Sequence, residues 1–243
     1  MRPTRPQWLV LIGIAALSEV ALAATDTARV APAAAASPPR LTVVELFQSQ
    51  SCSDCPPAET NINALARAPN VLALSYGVTY WDQLGWKDTF ATPQFTARQW
   101  DYAHRRNRAN VWTPQVFVNG QADIVGSNRT RLDQTIAASR VSGPAVAIRA
   151  NQVIVGKGPP AAHPATIWLV RYDPRTIDVP IRAGENGGRT LPHRNIVREL
   201  VSLGRWTGAS ATFAIPPAKQ PGLAVAAIVQ DGVGGAIVGA AKG

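Results

Sequence analysis

Apolar residues along this chain fall into short runs divided by turn chemistry, and the first run sets the frame. Leu41 to Phe47 (LTVVELF) is β-branched and apolar almost throughout, which predicts a buried strand. Pro56-Pro57-Ala58-Glu59 then opens a segment with Ile62, Leu65 and Ala66 at helical spacing, and Val71 to Val78 (VLALSYGV) predicts a second strand. A strand, a turn, a helix and a strand in that order imply parallel strands joined by a right-handed crossover. Thr92-Pro93 begins a predicted helix in which Phe95, Arg98, Gln99, Tyr102 and Arg106 recur three or four residues apart. Gln115 to Val118 is a third strand, Asn119-Gly120 a two-residue hairpin turn and Gln121 to Val125 a fourth strand. Asn128 to Ser139 reads as a closing helix.

Gly143-Pro144 marks a change of pattern. Short alternating strands follow at 145–150, 152–156, 165–172, 176–182, 211–215, 223–230 and 235–240, punctuated by Pro and Gly. Residues 194–203 suit an extended strand or a short helix equally. The expected organisation is therefore an α/β domain over 41–142 and a small, mostly antiparallel, sandwich-like β domain over 143–243. Within the first, residues 80–112 form an inserted segment carrying Trp81, Trp86, Trp100 and Trp112. Such residues cap a site or simply pack, and aromatic side chains dominate cores.

Composition changes this picture in two ways. Hydrophobic residues make up 46% of the 243 positions and charged residues 16%, so the chain can bury a substantial core. The net charge of +9 would suit nucleic acid, but the basic residues are scattered, with Arg105, Arg106 and Arg108 the densest group, and no nucleic-acid docking motif accompanies them. At the N-terminus, Arg2 and Arg5 precede the apolar run Trp8 to Leu17 and the small-x-small triplet Ala21-Leu22-Ala23, the pattern of an export signal over 1–23. Residues 24–40 are rich in Ala and Pro and read as a tether. The expectation is a periplasmic or secreted protein with no stable membrane span after cleavage.

The chain has two cysteines, Cys52 and Cys55, three residues apart. A disulfide closing so short a loop constrains little of the unfolded chain, so the purpose of the pair is chemical rather than structural. Between a buried strand and a helix N-terminus, unpaired N–H groups and the helix dipole favour a thiolate. Cys52 then acts as nucleophile and Cys55 as resolving thiol. Asp54 opposes that thiolate, and Pro56 and Pro57 suggest that the helix begins after Cys52, leaving the pair on a loop. Thr113-Pro114 immediately precedes the third strand. In thioredoxin-like folds that position holds a cis-proline beside the cysteines, and the order of motifs predicts a cis peptide here. The backbone of Thr113 then offers an edge to an extended substrate.

The segments VVELFQSQSCSDCPPAE, YWDQLGWKDTFATPQFTARQ and WTPQVFVNG resemble a family of secreted bacterial proteins known as domain of unknown function 1223. GENGGRTLPHRNIV and VAAIVQDGVGGAIVGAA extend the resemblance into the C-terminal half, while Trp112 stands where the family pattern suggests Tyr. The resemblance implies a thioredoxin-like fold with a β-rich C-terminal extension, and no established activity. Glu45, seven residues before Cys52, matches the place of a buried proton-transferring acid in thioredoxins. Equally, it suits a strand-edge carboxylate paired with an arginine.

The expected function is an exported thiol-disulfide oxidoreductase with no dissociable cofactor, whose partners are protein thiols or disulfides of the cell envelope. Two other readings stay open. Cys52 and Cys55 could hold copper(I), which accepts two thiolates, whereas zinc wants more ligands than they supply. The fold could also serve as a non-catalytic docking platform. His104, His163 and His193 read as solvated helix or loop residues. Gly184 to Arg189 reads as a hairpin loop in preference to an anion-binding backbone nest, and Arg98 and Gln99 as a buttress for the Trp81-Asp82 loop in preference to a substrate-orienting pair.

Overall fold

The computed structural model describes residues 40–159 and 162–243, together with 1, 3 and 4. The expected export signal lies almost wholly outside these residues, as does the tether up to residue 39. The central element is β1 (Thr42–Gln48), buried along nearly its whole length as its apolar run requires. After the cysteine turn come α1 (Cys55–Leu65) and β2 (Val71–Gly77), which runs parallel to β1. A 3-10 turn at Asp82–Leu84 leads to α2 (Pro93–Arg105), whose first turn is capped by the Thr92 hydroxyl accepting from Phe95 N–H at 3.3 Å. Then β3 (Gln115–Val118), antiparallel to β1, forms a hairpin with β4 (Ala122–Ile124), followed by α3 (Arg129–Ala138).

Asn119 and Gly120 both adopt positive φ (48° and 61°), as a two-residue hairpin turn demands. Asn119 also ties the turn to its surroundings. Its side chain accepts from Val43 N–H at 2.7 Å, and its carbonyl accepts from Ile237 N–H at 2.8 Å. A Cβ on Gly120 would lie 2.5 Å from the Gly235 carbonyl oxygen, so no other residue fits without movement.

The C-terminal half contributes β5 (Val146–Arg149), β6 (Gln152–Val155), β7 (Ala165–Asp173), β8 (Ile177–Pro180), β9 (Thr190–His193), β10 (Ile196–Trp206), β11 (Ala211–Ala214), β12 (Ala224–Asp231) and β13 (Ile237–Lys242). Here the expectation of a separate sandwich needs correcting. One eight-stranded mixed sheet runs β13-β12-β7-β10-β2-β1-β3-β4, crossing the expected boundary at β10 and β2. The junction is short: Ile196 pairs with Ser75, Ser75 N–H donates to Asn195 O at 3.0 Å, and the Asn195 amide donates to Ala73 O at 2.8 Å. A single bridge of this kind leaves no mark in local periodicity. Residues 194–203, open between strand and helix, fall mostly within β10.

Strand alternation divides the core between the two faces of the sheet. On one face Val43 and Phe47 join Leu74 and Tyr76 of β2, Phe95 and Tyr102 of α2, and Val170, Val197 and Ile228 from the C-terminal half. On the other, Val44 and Leu46 pack with Ala58 and Ile62 of α1 and Leu132 of α3. A second layer, β11-β6-β5, covers Ile167, Leu169 and Val229 around Trp206, so a sandwich does form locally. Among the described residues no helix is long and apolar enough to cross a membrane.

Because the Phe47–Tyr76 core is shared by both halves, residues 41–142 alone should not hold a native core. We expect that fragment to show no cooperative thermal transition by near-ultraviolet circular dichroism, whereas residues 41–243 melt cooperatively. A cooperative melt of the fragment would mean that the halves are independent.

Candidate functional site at the cysteine turn

The chain leaves β1 at Gln48 and folds over a tight turn. Cys52 N–H donates to Ser49 O at 3.1 Å, and Cys55 N–H donates to Cys52 O at 3.2 Å. Cys55 itself opens α1, and Pro56 and Pro57 occupy the first helical turn, where a missing N–H breaks no helix bond. Cys52 therefore sits on the turn before the helix. Both cysteines are free thiols, each 1% exposed, with their sulfurs 2.6 Å apart.

Thr113-Pro114 is a cis peptide. The Thr113 hydroxyl is buried without another partner and faces the sulfur pair. Gln99 of α2 aims this segment, donating to Trp112 O at 2.8 Å and Gln115 Oε1 at 2.9 Å, while Tyr80 donates to Gln99 Oε1 at 3.3 Å. Gln99 thus positions the proline segment rather than the Trp81-Asp82 loop.

The two thiols are driven apart. Cys52 is lowered from 9.0, first by the hydrogen bond from Cys55 and then by the Thr113 hydroxyl and the N–H groups of Asp54 and Cys55, against the opposing cost of burial. Cys55 is raised well above 9.0, by burial first and by Cys52 second. The backbone N–H of Asp54 favours the Cys52 thiolate, a contribution that a reading of its carboxylate alone does not supply.

Glu45 lies elsewhere. It is 0% exposed, pairs with Arg98 Nε at 2.9 Å, and accepts from the Tyr102 hydroxyl. Arg98 also donates to Tyr102 at 3.1 Å and to Gln230 of β12 at 3.1 Å, and its guanidinium lies over the Tyr76, Tyr102 and Trp168 rings. The carboxylate has its arginine, but on a central strand flanked by β2 and β3 rather than at an edge. Cys52, Cys55, Thr113 and Pro114 come together; Glu45 belongs to this separate ion-pair cluster.

Several residues at the site were not singled out by sequence reasoning as part of it. His193, expected in a surface turn, is 0% exposed, and its Nδ1 lies 2.5 Å from Glu59 Oε1 on α1. Burial alone would lower its pKa, but the hydrogen bond and charge of Glu59, with the charges of Asp88 and Asp178, raise it above 6.5. The loop between β8 and β9 crosses the cysteine turn. The Asn186 amide donates to Gln50 O at 3.0 Å and Cys52 O at 2.8 Å. Glu185 Oε2 accepts from Ser53 N–H at 2.9 Å and Ser53 Oγ–H at 2.8 Å. From the tryptophan-bearing segment, Trp86 Nε1 donates to Gln50 Oε1 at 2.8 Å and Asp88 accepts from Gln50 N–H at 2.8 Å. The available signal was the polar run Gln48-Ser49-Gln50-Ser51 after a buried strand, whose groups require partners. His104 and His163 are exposed, and among the described residues no group of three or more His, Cys, Asp and Glu side chains converges as a metal site.

The family described as "Protein of unknown function (DUF1223)" matches residues 43–230. The chain belongs to this family. A crystal structure of an Agrobacterium tumefaciens protein resembles it with a TM-score of 0.69 and 29% identity, covering 83% of this chain and 92% of that one. HBP35 of Porphyromonas gingivalis resembles it in fold, with a TM-score of 0.51 at 12% identity over 84% of this chain and 74% of that one. No curated protein matches. The family match spans both the cysteine turn and the Glu185–Asn186 loop.

Since the folded pKa of His193 is raised above 6.5, its pairing with Glu59 contributes most below that pH. The contribution is lost as pH rises through the folded value. Urea denaturation of Glu59→Gln should accordingly show a larger deficit against the parent at about pH 5.5 than at about pH 8.5. A deficit independent of pH would contradict the assignment.

Proposed function

We propose that this protein is an exported thiol-disulfide oxidoreductase built on a thioredoxin-like fold, with Cys52 as nucleophile and Cys55 as resolving thiol. The observation that carries the reading is geometric: two free thiols lie with their sulfurs 2.6 Å apart at the start of α1 and face the buried Thr113 hydroxyl. In that setting Cys52 is lowered while Cys55 is raised from 9.0. Support for the fold comes from the order β2-β1-β3-β4, with β1 parallel to β2 and antiparallel to β3, and the cis Thr113-Pro114 at the head of β3. The basic, apolar, small-residue pattern of 1–23 supports a periplasmic or secreted location.

In the chemistry proposed, the Cys52 thiolate attacks one sulfur of a substrate disulfide. A Cys52–substrate bond forms as the substrate S–S bond breaks, and the departing thiolate takes a proton. Cys55 then loses its proton and attacks the Cys52 sulfur, closing the intramolecular disulfide and releasing the second substrate thiol. The Thr113 hydroxyl supports the sulfur anion, and the Thr113 backbone is the docking edge for an extended chain. The substrates are protein thiols and disulfides of the cell envelope.

The test is equilibration of the full-length mature protein in glutathione and dithiothreitol redox buffers, with Cys52→Ser as control. We expect reversible interconversion of dithiol and intramolecular disulfide, with Cys52 trapped first by alkylation. A pair that does not cycle, or that copurifies with copper, would overturn the reading.

A further inference from the structure

We infer that the loop of residues 182–188, between β8 and β9, is a latch that gates access to Cys52, with the Glu185 carboxylate as its clasp. The purpose of such a gate rests on the oxidoreductase reading; the geometry does not.

The nucleophile is 1% exposed, although Ser53 and Asp54 beside it are exposed. The latch presses on the same turn. A Cβ on Gly184, which has φ +75°, would stand 2.9 Å from Ser51 Oγ, so the loop lies as near as a backbone can. Its base is closed by Ile181 N–H to Arg189 O and Gly188 N–H to Ile181 O, both 2.8 Å. These two bonds mark the base of the loop.

At its tip the loop is held in two places of different character. Asn186 is fully buried and donates to main-chain oxygens of Gln50 and Cys52. Glu185 is exposed and takes both donors of Ser53. Few apolar side chains reinforce this tip, since Gly184, Gly187 and Gly188 make up much of it. Of these two anchors only the Glu185 clasp is made of exposed hydrogen bonds, the kind that open locally at low free energy. The clasp also occupies the Ser53 N–H, leaving the N–H groups of Asp54 and Cys55 to stabilise the Cys52 thiolate. Loop opening would release the Cys52 carbonyl, the Ser53 donors and the surface beside the nucleophile together.

The experiment measures the rate of carbamidomethylation of Cys52 in the reduced full-length protein across a pH profile, using uncharged iodoacetamide and mass spectrometry of the Cys52 peptide. The midpoint reports the thiol's electrostatics, and the high-pH plateau reports access. Glu185→Gln should raise the plateau about two- to fivefold, by weakening an exposed charge-assisted contact. Ser53→Ala, which removes one of the two donors, should raise it less. Asp54→Asn removes a neighbouring negative charge without touching the latch and should move only the midpoint. A plateau unchanged in both Glu185→Gln and Ser53→Ala, or raised equally by Asp54→Asn, would overturn the latch. Alkylation needs only a free thiol, so failure of the redox reading in redox buffers would leave this comparison intact.

Discussion

The turn from Gln48 to Cys55 leaves a strand buried on both faces, and its backbone groups need hydrogen-bond partners where the chain emerges. Much of the architecture around the site supplies them. Asp88 takes the Gln50 N–H, Asn186 reaches the Gln50 and Cys52 carbonyls, and Glu185 takes the Ser53 N–H. These partners come from the tryptophan-bearing segment and the β8–β9 loop, so both insertions are fastened at the cysteine turn. An unpaired buried backbone group costs about 1–3 kcal/mol, so removing the Asp88 or Asn186 side chain while the turn stays buried is expensive, whereas the exposed Ser53 N–H can turn to water. The C-terminal half is thereby part of the site as well as of the sheet.

A second constraint lies on the opposite face. Glu45 and Arg98 are both buried, and removing one partner of such a pair typically costs about 3–5 kcal/mol because the other charge is stranded. Here Arg98 also donates to Tyr102 and Gln230, and Trp168 donates to Gln230 at 3.0 Å. Arg98 consequently joins β1 to β12 through side chains, while the sheet joins the same halves through the β10–β2 bridge. The pair acts in holding the two halves in register.

Local chemistry made much of this legible. The apolar run of β1, the prolines of the first helical turn, the Thr92 cap and the Asn119-Gly120 turn each follow from residues within a few positions of one another. The cysteine spacing and Thr113-Pro114 pointed to one site for the same reason. What remained hidden was long-range. Glu59 and His193 are 134 positions apart, as are Cys52 and Asn186, while Ser53 and Glu185 are separated by 132. No period or spacing encodes such meetings, and His193 read as a surface residue because the strand that buries it, β9, is four residues long with Pro192 inside. Likewise the edge of β2 accepts β10 through one bridge, which local pattern cannot distinguish from a free edge.

The central claim is that one buried environment splits two neighbouring thiols into a nucleophile and a protonated partner. Titration of the reduced protein by ultraviolet thiolate absorbance, with Cys52→Ser and Cys55→Ser to assign the steps, tests it most directly. The account predicts a first thiolate forming below pH 9.0 that vanishes in Cys52→Ser, and a second forming only well above it. Two thiols titrating together near 9.0, or a first step that survives in Cys52→Ser and is lost in Cys55→Ser, would contradict it.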